Sequence, residues 1–177
     1  MDQGSGGRSS VVDLQIPALR HEESFLQAVR RSRSLHKGLV SPPANAAEFQ
    51  RYVHSLRRKN RVGFIVVSKD SGDLIGVVNV NEIVLGLFQS AYLGYYAFLP
   101  YAGRGFMRQG MQQVIKHCFG DLRLHRLEAN IQPENERSIA LVRALGFEKE
   151  GYSPRYLKVC GKWRDHERWA IRSEQWR

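Results

Sequence analysis

Cysteine is nearly missing from this chain: only Cys118 and Cys160 occur in 177 residues, with no metal or redox spacing around either. That excludes a disulfide framework and a structural zinc site, and both residues read as core thiols. No apolar run approaches the about 20 residues of a membrane helix, nor a secretory signal, so the chain reads as soluble and cytoplasmic, without a membrane role. GxxxxGK[ST] is absent, which argues against a nucleotide-hydrolysing P-loop. So is GxGxxG followed by an acidic residue about 20 positions on, the dinucleotide fingerprint. His36, His54, His117, His125 and His166 lack ligand spacing, so no metal is expected, and these histidines read as surface or core-edge residues.

What is present suffices for a real core. Hydrophobic residues make up 42% of the chain, which implies one globular domain over residues 11–177 behind a flexible, Gly/Ser-rich start over residues 1–10. Lys and Arg outnumber Asp and Glu by 27 to 17, a net charge of +10. Such a balance calls for an anionic partner: nucleic acid, an acidic surface or a polyphosphate ligand.

Periodicity supplies the elements. A short strand near Val11–Gln15 precedes a helix over Glu22–Leu35, with Phe25, Leu26 and Val29 at helical spacing. Pro42-Pro43 breaks the chain. A second helix from Ala46 carries Phe49, Tyr52, Val53 and Leu56 on one face and leaves through the basic run Arg57, Arg58, Lys59 and Arg61. The period then becomes that of strands: GFIVVS, a turn at Lys69–Asp73, LIGVVNVNEI, and a third strand over Ala91–Leu99. A helix with Met107, Met111, Val114, Ile115 and Cys118 in one stripe follows, then the strand Arg126–Ile131. The next short helix is capped by Asn135 and stopped by Gly146, and two strands close the chain around Gly161. Clustered strands with isolated helical crossovers predict an α/β (α+β) domain, a mixed sheet with helices packed on it.

The turn between the third strand and its helix carries the chemistry. Gly103 and Gly105 let backbone approach a ligand, and the unpaired N–H groups of a helix's first turn favour phosphate. Arg104 and Arg108 add positive charge. A strand-to-helix turn can also need glycine for steric reasons alone, and both readings stand at this level.

AGRGFM after a long strand, PENERSIALVRALGFEKEGY and GKWRDH, together with IGVVN and YLGY, resemble the GNAT superfamily of N-acetyltransferases, in particular its RimJ/RimL branch and the ribosomal-protein alanine N-acetyltransferases within it. The likeness covers about Gly63–Ile171. It implies a mostly antiparallel sheet of about seven strands whose central pair splays into a cofactor cleft. It further implies acetyl-CoA as cosubstrate, with its pyrophosphate on backbone N–H groups from Gly103 through Arg104, Gly105, Phe106 and Met107 to Arg108. Ala97, Phe98 and Leu99 would pair with pantetheine, and Asn135 would face its thioester end. The family places Arg or Gln where Ala102 stands, and Gly or Ala where Met107 stands; because the phosphate contacts come mainly from backbone N–H groups, this loss is expected to weaken binding without abolishing it, with Arg104 as the compensating charge.

The implied reaction is transfer of an acetyl group to a primary amine, with a backbone N–H near Phe98 as oxyanion donor. At pH 7 roughly one α-amine in six is neutral, against one lysine in about 2,500, a difference of about 3.7 kcal/mol. An enzyme for protein N-termini therefore needs little help from a base. The position where RimL-like members are thought to carry a glutamate is Leu157 here, so deprotonation through water assisted by Glu82 or a nearby tyrosine is expected. Ser138, one turn beyond Asn135, is the candidate acid for the thiolate. Two other readings accompany this one: acetylation of a small amine such as an antibiotic or polyamine, and a non-catalytic RNA- or ribosome-binding module. The second draws on basic residues over 51–61, 123–126 and 155–164, and ribosome or RNA contact also suits an accessory role for the enzyme. A monomer and a homodimer are equally compatible with the sequence.

Overall fold

Valine, isoleucine and leucine crowd the segments after Arg61, and each segment becomes a strand in the computed structural model, which describes residues 10–176. Of the expected flexible start only Ser10 lies within the described residues. The elements are β1 (Val12–Gln15), α1 (Glu22–Arg31), α2 (Arg33–His36), α3 (Ala46–Ser55), β2 (Val62–Ser68), β3 (Leu74–Val84) and β4 (Ser90–Ala97). They continue as α4 (Phe106–Gly120), β5 (Arg126–Ile131), α5 (Glu136–Ala144), β6 (Glu148–Val159) and β7 (Lys162–Arg172). The strands form one seven-stranded sheet in the order β1-β2-β3-β4-β5-β7-β6. Only β4 and β5 pair in parallel; every other neighbouring pair is antiparallel.

β2 and β3 read as nearly continuous apolar runs because helices cover both of their faces. On one side α4 packs Met111, Val114, Ile115 and Cys118 against Val66, Ile75, Val78 and Val80. On the other, Phe25 of α1 and Phe49 of α3 meet at 4.7 Å between ring centroids over Ile65, Val77 and Phe98. Each such ring, fully buried, contributes about 1.5–3 kcal/mol. Gly110 lets α4 lie directly on the sheet: a Cβ there would stand 2.6 Å from Cγ2 of Val66.

Two elements differ from the sequence expectation. The helix expected over Glu22–Leu35 breaks at Ser32, whose buried hydroxyl donates to the Ala28 carbonyl (2.7 Å) and accepts from the Leu99 N–H (2.9 Å). This i−4 bond competes with the helical ladder and fastens α1 to the chain beyond β4. The third strand, expected to reach Leu99, stops at Ala97. Phe98 still donates to Ile75 (2.7 Å), but its carbonyl accepts from Tyr101 and Ala102, which turns the chain away from the sheet.

Candidate active site

The parallel pair carries three register partners only: Ser90 with Arg126, Ala91 with Leu127 and Tyr92 with Glu128. Beyond them β4 and β5 are unpaired, and the gap opens into a cleft of about 730 Å³. Because the Phe98 N–H faces Ile75, the alternation of an antiparallel ladder also turns the main chain of Tyr96, Gly94 and Tyr92 toward β3. The main-chain groups of Tyr95 and Ala97 therefore face the gap. The Ala97 carbonyl accepts from Nε2 of His36 at 2.7 Å, which leaves the Ala97 N–H as the open donor at the lip.

The turn into α4 forms one end of the cleft. Gly103 and Gly105 hold φ of +77° and +82°, and a Cβ at either would meet nothing within 4 Å, so the backbone conformation rather than crowding requires glycine. No side chain caps α4, and its first intrahelical bond runs from the Gln109 N–H to Gly105. The N–H groups of Phe106, Met107 and Arg108 are thus the free donors of a 15-residue helix at its positive end.

The opposite wall is the start of α5. Asn135 caps it, its side chain accepting from the Ser138 N–H at 3.3 Å. The Ser138 hydroxyl lies 2.6 Å from the Tyr95 hydroxyl, joining α5 to the unpaired part of β4. Burial pushes the Tyr95 phenol well above its usual range, partly opposed by this bond, so the pair is neutral at pH 7.

Ala97, Gly103, Gly105, Met107, Arg108, Asn135 and Ser138 all line this one cleft. Other predicted residues do not reach it. Phe98 is fully buried in the α1–α3 core, and its N–H is engaged by Ile75, so the donor expected there is not free. The Leu99 N–H is likewise taken, by Ser32. The Arg104 guanidinium lies over the rings of Tyr101 and Phe106, 6.0 and 5.6 Å from their centroids, and Phe106 packs edge-on against Tyr101. Glu82 is exposed at the far end of β3, where Asn60 donates to it at 3.2 Å. Its strand neighbours Asn81 and Val84 oppose Tyr92 and Ser90, the paired end of the ladder.

Tyr95 and His36 are among the lining residues that escaped sequence reasoning. Three tyrosines in the otherwise apolar run AYLGYYA were the available signal for the first, since buried phenols need partners. His36 had none: read as a surface or core-edge residue, it is only 5% exposed. Asp165 of the GKWRDH segment braces the β6–β7 hairpin, accepting from the Arg155 N–H at 2.8 Å and from the Tyr152 hydroxyl. Among the described residues no three His, Cys, Asp or Glu side chains are grouped to hold a metal ion, and no helix is long and apolar enough to cross a membrane.

The chain is 38% identical over 113 residues to the [ribosomal protein uS5]-alanine N-acetyltransferase of Escherichia coli (strain K12), a match covering 64% of this chain and 58% of that protein, short of two thirds of its length. It is 27% identical over 106 residues to the spermidine N(1)-acetyltransferase of Vibrio cholerae, covering 60% and 61% of the two chains. The solved structure of Mycobacterium smegmatis RimJ in complex with CoA-disulfide superposes with a TM-score of 0.85 at 25% identity, over 92% of this chain and 82% of that one. The acetyltransferase (GNAT) domain profile matches residues 14–148, a span that holds the splayed pair, the glycine turn and the Asn135–Ser138 helix start, and the chain belongs to that family.

Proposed function

We propose that this chain transfers an acetyl group from acetyl-CoA to the α-amine of a protein N-terminus. The observation that carries the reading is the convergence, at one gap in the sheet, of an open helix N-terminus, an unpaired strand edge and the Tyr95–Ser138 hydroxyl pair. The residues fit such a ligand. Gly103 and Gly105 leave the turn unobstructed, the free N–H groups of Phe106, Met107 and Arg108 suit a pyrophosphate, and Arg108 is the cation that lines the cleft beside them. Bound there, acetyl-CoA supplies an activated acetyl carbonyl and a thiolate leaving group. The Ala97 N–H serves the developing oxyanion, a role worth about 2.7–4 kcal/mol in enzymes where one such donor has been removed. Ser138 donates the proton that the departing sulfur needs, and Tyr95 holds that hydroxyl in place.

An α-amine acceptor is favoured over a lysine side chain because Leu157 stands at the position where RimL-like members are thought to carry a glutamate base, and over a polyamine because of the net charge of +10. Incubation with acetyl-CoA and a panel of alanine-initiated peptides, ε-amine peptides and spermidine, read by mass spectrometry, tests the assignment. Acetylation of the first group is expected. Preferential acetylation of spermidine would move the chain to the small-amine class, where one of its relatives sits.

An accessory contact with RNA, as on a ribosome, has its own observation. Arg51, His54, Arg57 and Arg58 line a groove of about 880 Å³ on α3, and among the described residues none of them forms an ion pair, whereas Arg126 is bound to Glu128 and Glu150. Salt-sensitive RNA binding that is lost on reversing charge in this groove is the expected result.

A further inference from the structure

The sheet loses its backbone ladder between β4 and β5 after Tyr92 and Glu128, and one stretch of chain crosses that break. His36, at the end of α2, donates from Nε2 to the Ala97 carbonyl of β4 at 2.7 Å. A few residues later the Gly38 and Leu39 carbonyls accept from Nε2 of Gln132, the residue after β5, at 3.2 and 3.4 Å. Carried on past Tyr92 and Glu128, the parallel register would set Ala97 beside Pro133, next to Gln132. Residues 36–39 therefore join the two strands across the gap where their own hydrogen bonds are missing. Gly38 turns this strap at φ +78°, and the Leu39 and Val40 N–H groups close it on the His36 carbonyl at 3.0 and 3.1 Å. Ser41 Oγ then carries it to within 3.3 Å of Cys160 Sγ at the β6–β7 turn.

We propose that Gln132 is a positioning residue that holds this strap, and that the strap is the wall against which the first residue of the acceptor is placed. The inference rests on the acetyl-transfer reading given above. Leu35, Leu39 and Val40 line the cleft, whereas Gln132, only 4% exposed, stands behind them. It touches no substrate and acts through the strap. Of the cleft's walls, the glycine turn takes the phosphates and the start of α5 takes the thiol end. The strap is the wall fastened to Ala97, whose N–H is the open donor for the acyl oxygen, so it borders the place where the amine attacks. Its aliphatic side chains suit an uncharged first residue such as alanine.

Two features separate this latch from incidental packing. The Gln132 Oε1 has no partner, so the polar engagement of the side chain is with the strap alone. The Gln132 carbonyl accepts from the Asn135 N–H at 2.9 Å, which ties the latch to the cap of α5. That second bond is main-chain. A substitution at 132 that keeps its volume leaves the α5 start and the glycine turn in place, and its effect falls on the acceptor.

The test is Gln132→Met, which keeps the length and burial of the side chain and removes the donor. With acetyl-CoA saturating, KM for an alanine-initiated peptide should rise about 10-fold, the factor that one or two neutral hydrogen bonds carry. kcat should stay within twofold and acetyl-CoA affinity by calorimetry within threefold. Gly38→Ala strains the strap without touching β5, its Cβ meeting nothing within 4 Å, and should raise the same KM while sparing the same two quantities. Independently of activity, hydrogen exchange at the Leu39 and Val40 N–H groups should quicken at least 10-fold in Gln132→Met. Unchanged peptide KM in both variants, unchanged exchange at residues 39 and 40, or a KM rise matched by an equal loss of kcat or of acetyl-CoA affinity would each overturn the assignment. Failure of the wild type to acetylate any amine would instead remove the acetyl-transfer reading and the acceptor wall with it, whatever the exchange rates show.

Discussion

Placing a carboxylate at the glycine turn separates its two roles, backbone geometry and anion binding. Gly105 stands at φ +82° with nothing within 4 Å of a Cβ, so Gly105→Ala and Gly105→Glu meet the same strain and no steric barrier. A left-handed non-glycine residue costs about 1–2 kcal/mol, which for a chain of this size lowers the melting temperature by roughly 2–8 °C. The glutamate adds repulsion. At about 6 Å and an effective dielectric near 20, one charge pair is worth about 2.8 kcal/mol, and a pyrophosphate presents at least two charges. Because Gly105 is exposed, solvent screening is taken to halve the sum; about 2.8 kcal/mol remains, or about 100-fold in affinity. Calorimetric titration with acetyl-CoA should therefore show near-wild-type binding for Gly105→Ala and a loss of at least about 30-fold for Gly105→Glu. Wild-type affinity in both variants would refute the placement of the phosphates on this turn. Equal losses would mean that the backbone conformation, and not the charge, governs binding.

Ser138→Ala should lower kcat by about 100-fold, with acetyl-CoA affinity unchanged. Tyr95→Phe should have a smaller effect, and the double variant should be no worse than Ser138→Ala because the two hydroxyls act as one unit; unchanged kcat in Ser138→Ala removes it as the acid. Stability should decline as pH falls below 6.5. His21, whose Nδ1 accepts from the Ala18 N–H at 3.0 Å, and His36 are both held below that value chiefly by burial. The unfolded chain therefore binds protons more readily, so their contribution is complete above pH 6.5 and lost beneath it. Melting scans between pH 7.5 and 5.5 should show this fall, and His21→Gln together with His36→Gln should flatten it. Gly110→Ala should destabilise by about 1–3 kcal/mol through contact with the Val66 methyl groups, and Val66→Ala in the same chain should recover part of the loss.

The elements legible in the sequence were those whose signal is local. Asn135 and Gly146 bracket α5 because capping and left-handed termination depend on single residues, and β5 appears with the bounds that its alternation predicts. The α4 stripe was equally plain, since five apolar residues at helical spacing have no alternative burial. The break at Ser32 was not legible. Its cause is a hydroxyl bonded both to Ala28 and to Leu99, a residue 67 positions away, and no window on the sequence contains that partner.

The site divides along the same line. Glycines at a helix start are a local signal, so Gly103, Gly105 and Arg108, which line the cleft, could be named in advance as candidates. Which strand residue offers its N–H to the gap depends on ladder parity, and parity is set by the bond from Phe98 to Ile75; a shift of one residue exchanges Phe98 for Ala97 and turns every side chain over. The same parity presents the Ala97 carbonyl to His36 and so fixes which imidazole nitrogen is left bare. A Phe64→Ala substitution in the core should reduce stability without moving this register, whereas Ile75→Pro, which forces a proline into β3 at the residue that accepts from Phe98, should lower acetyl-CoA affinity out of proportion to its effect on folding. If affinity and stability fell together in both variants, the parity of β3 against β4 would not be what positions the donor.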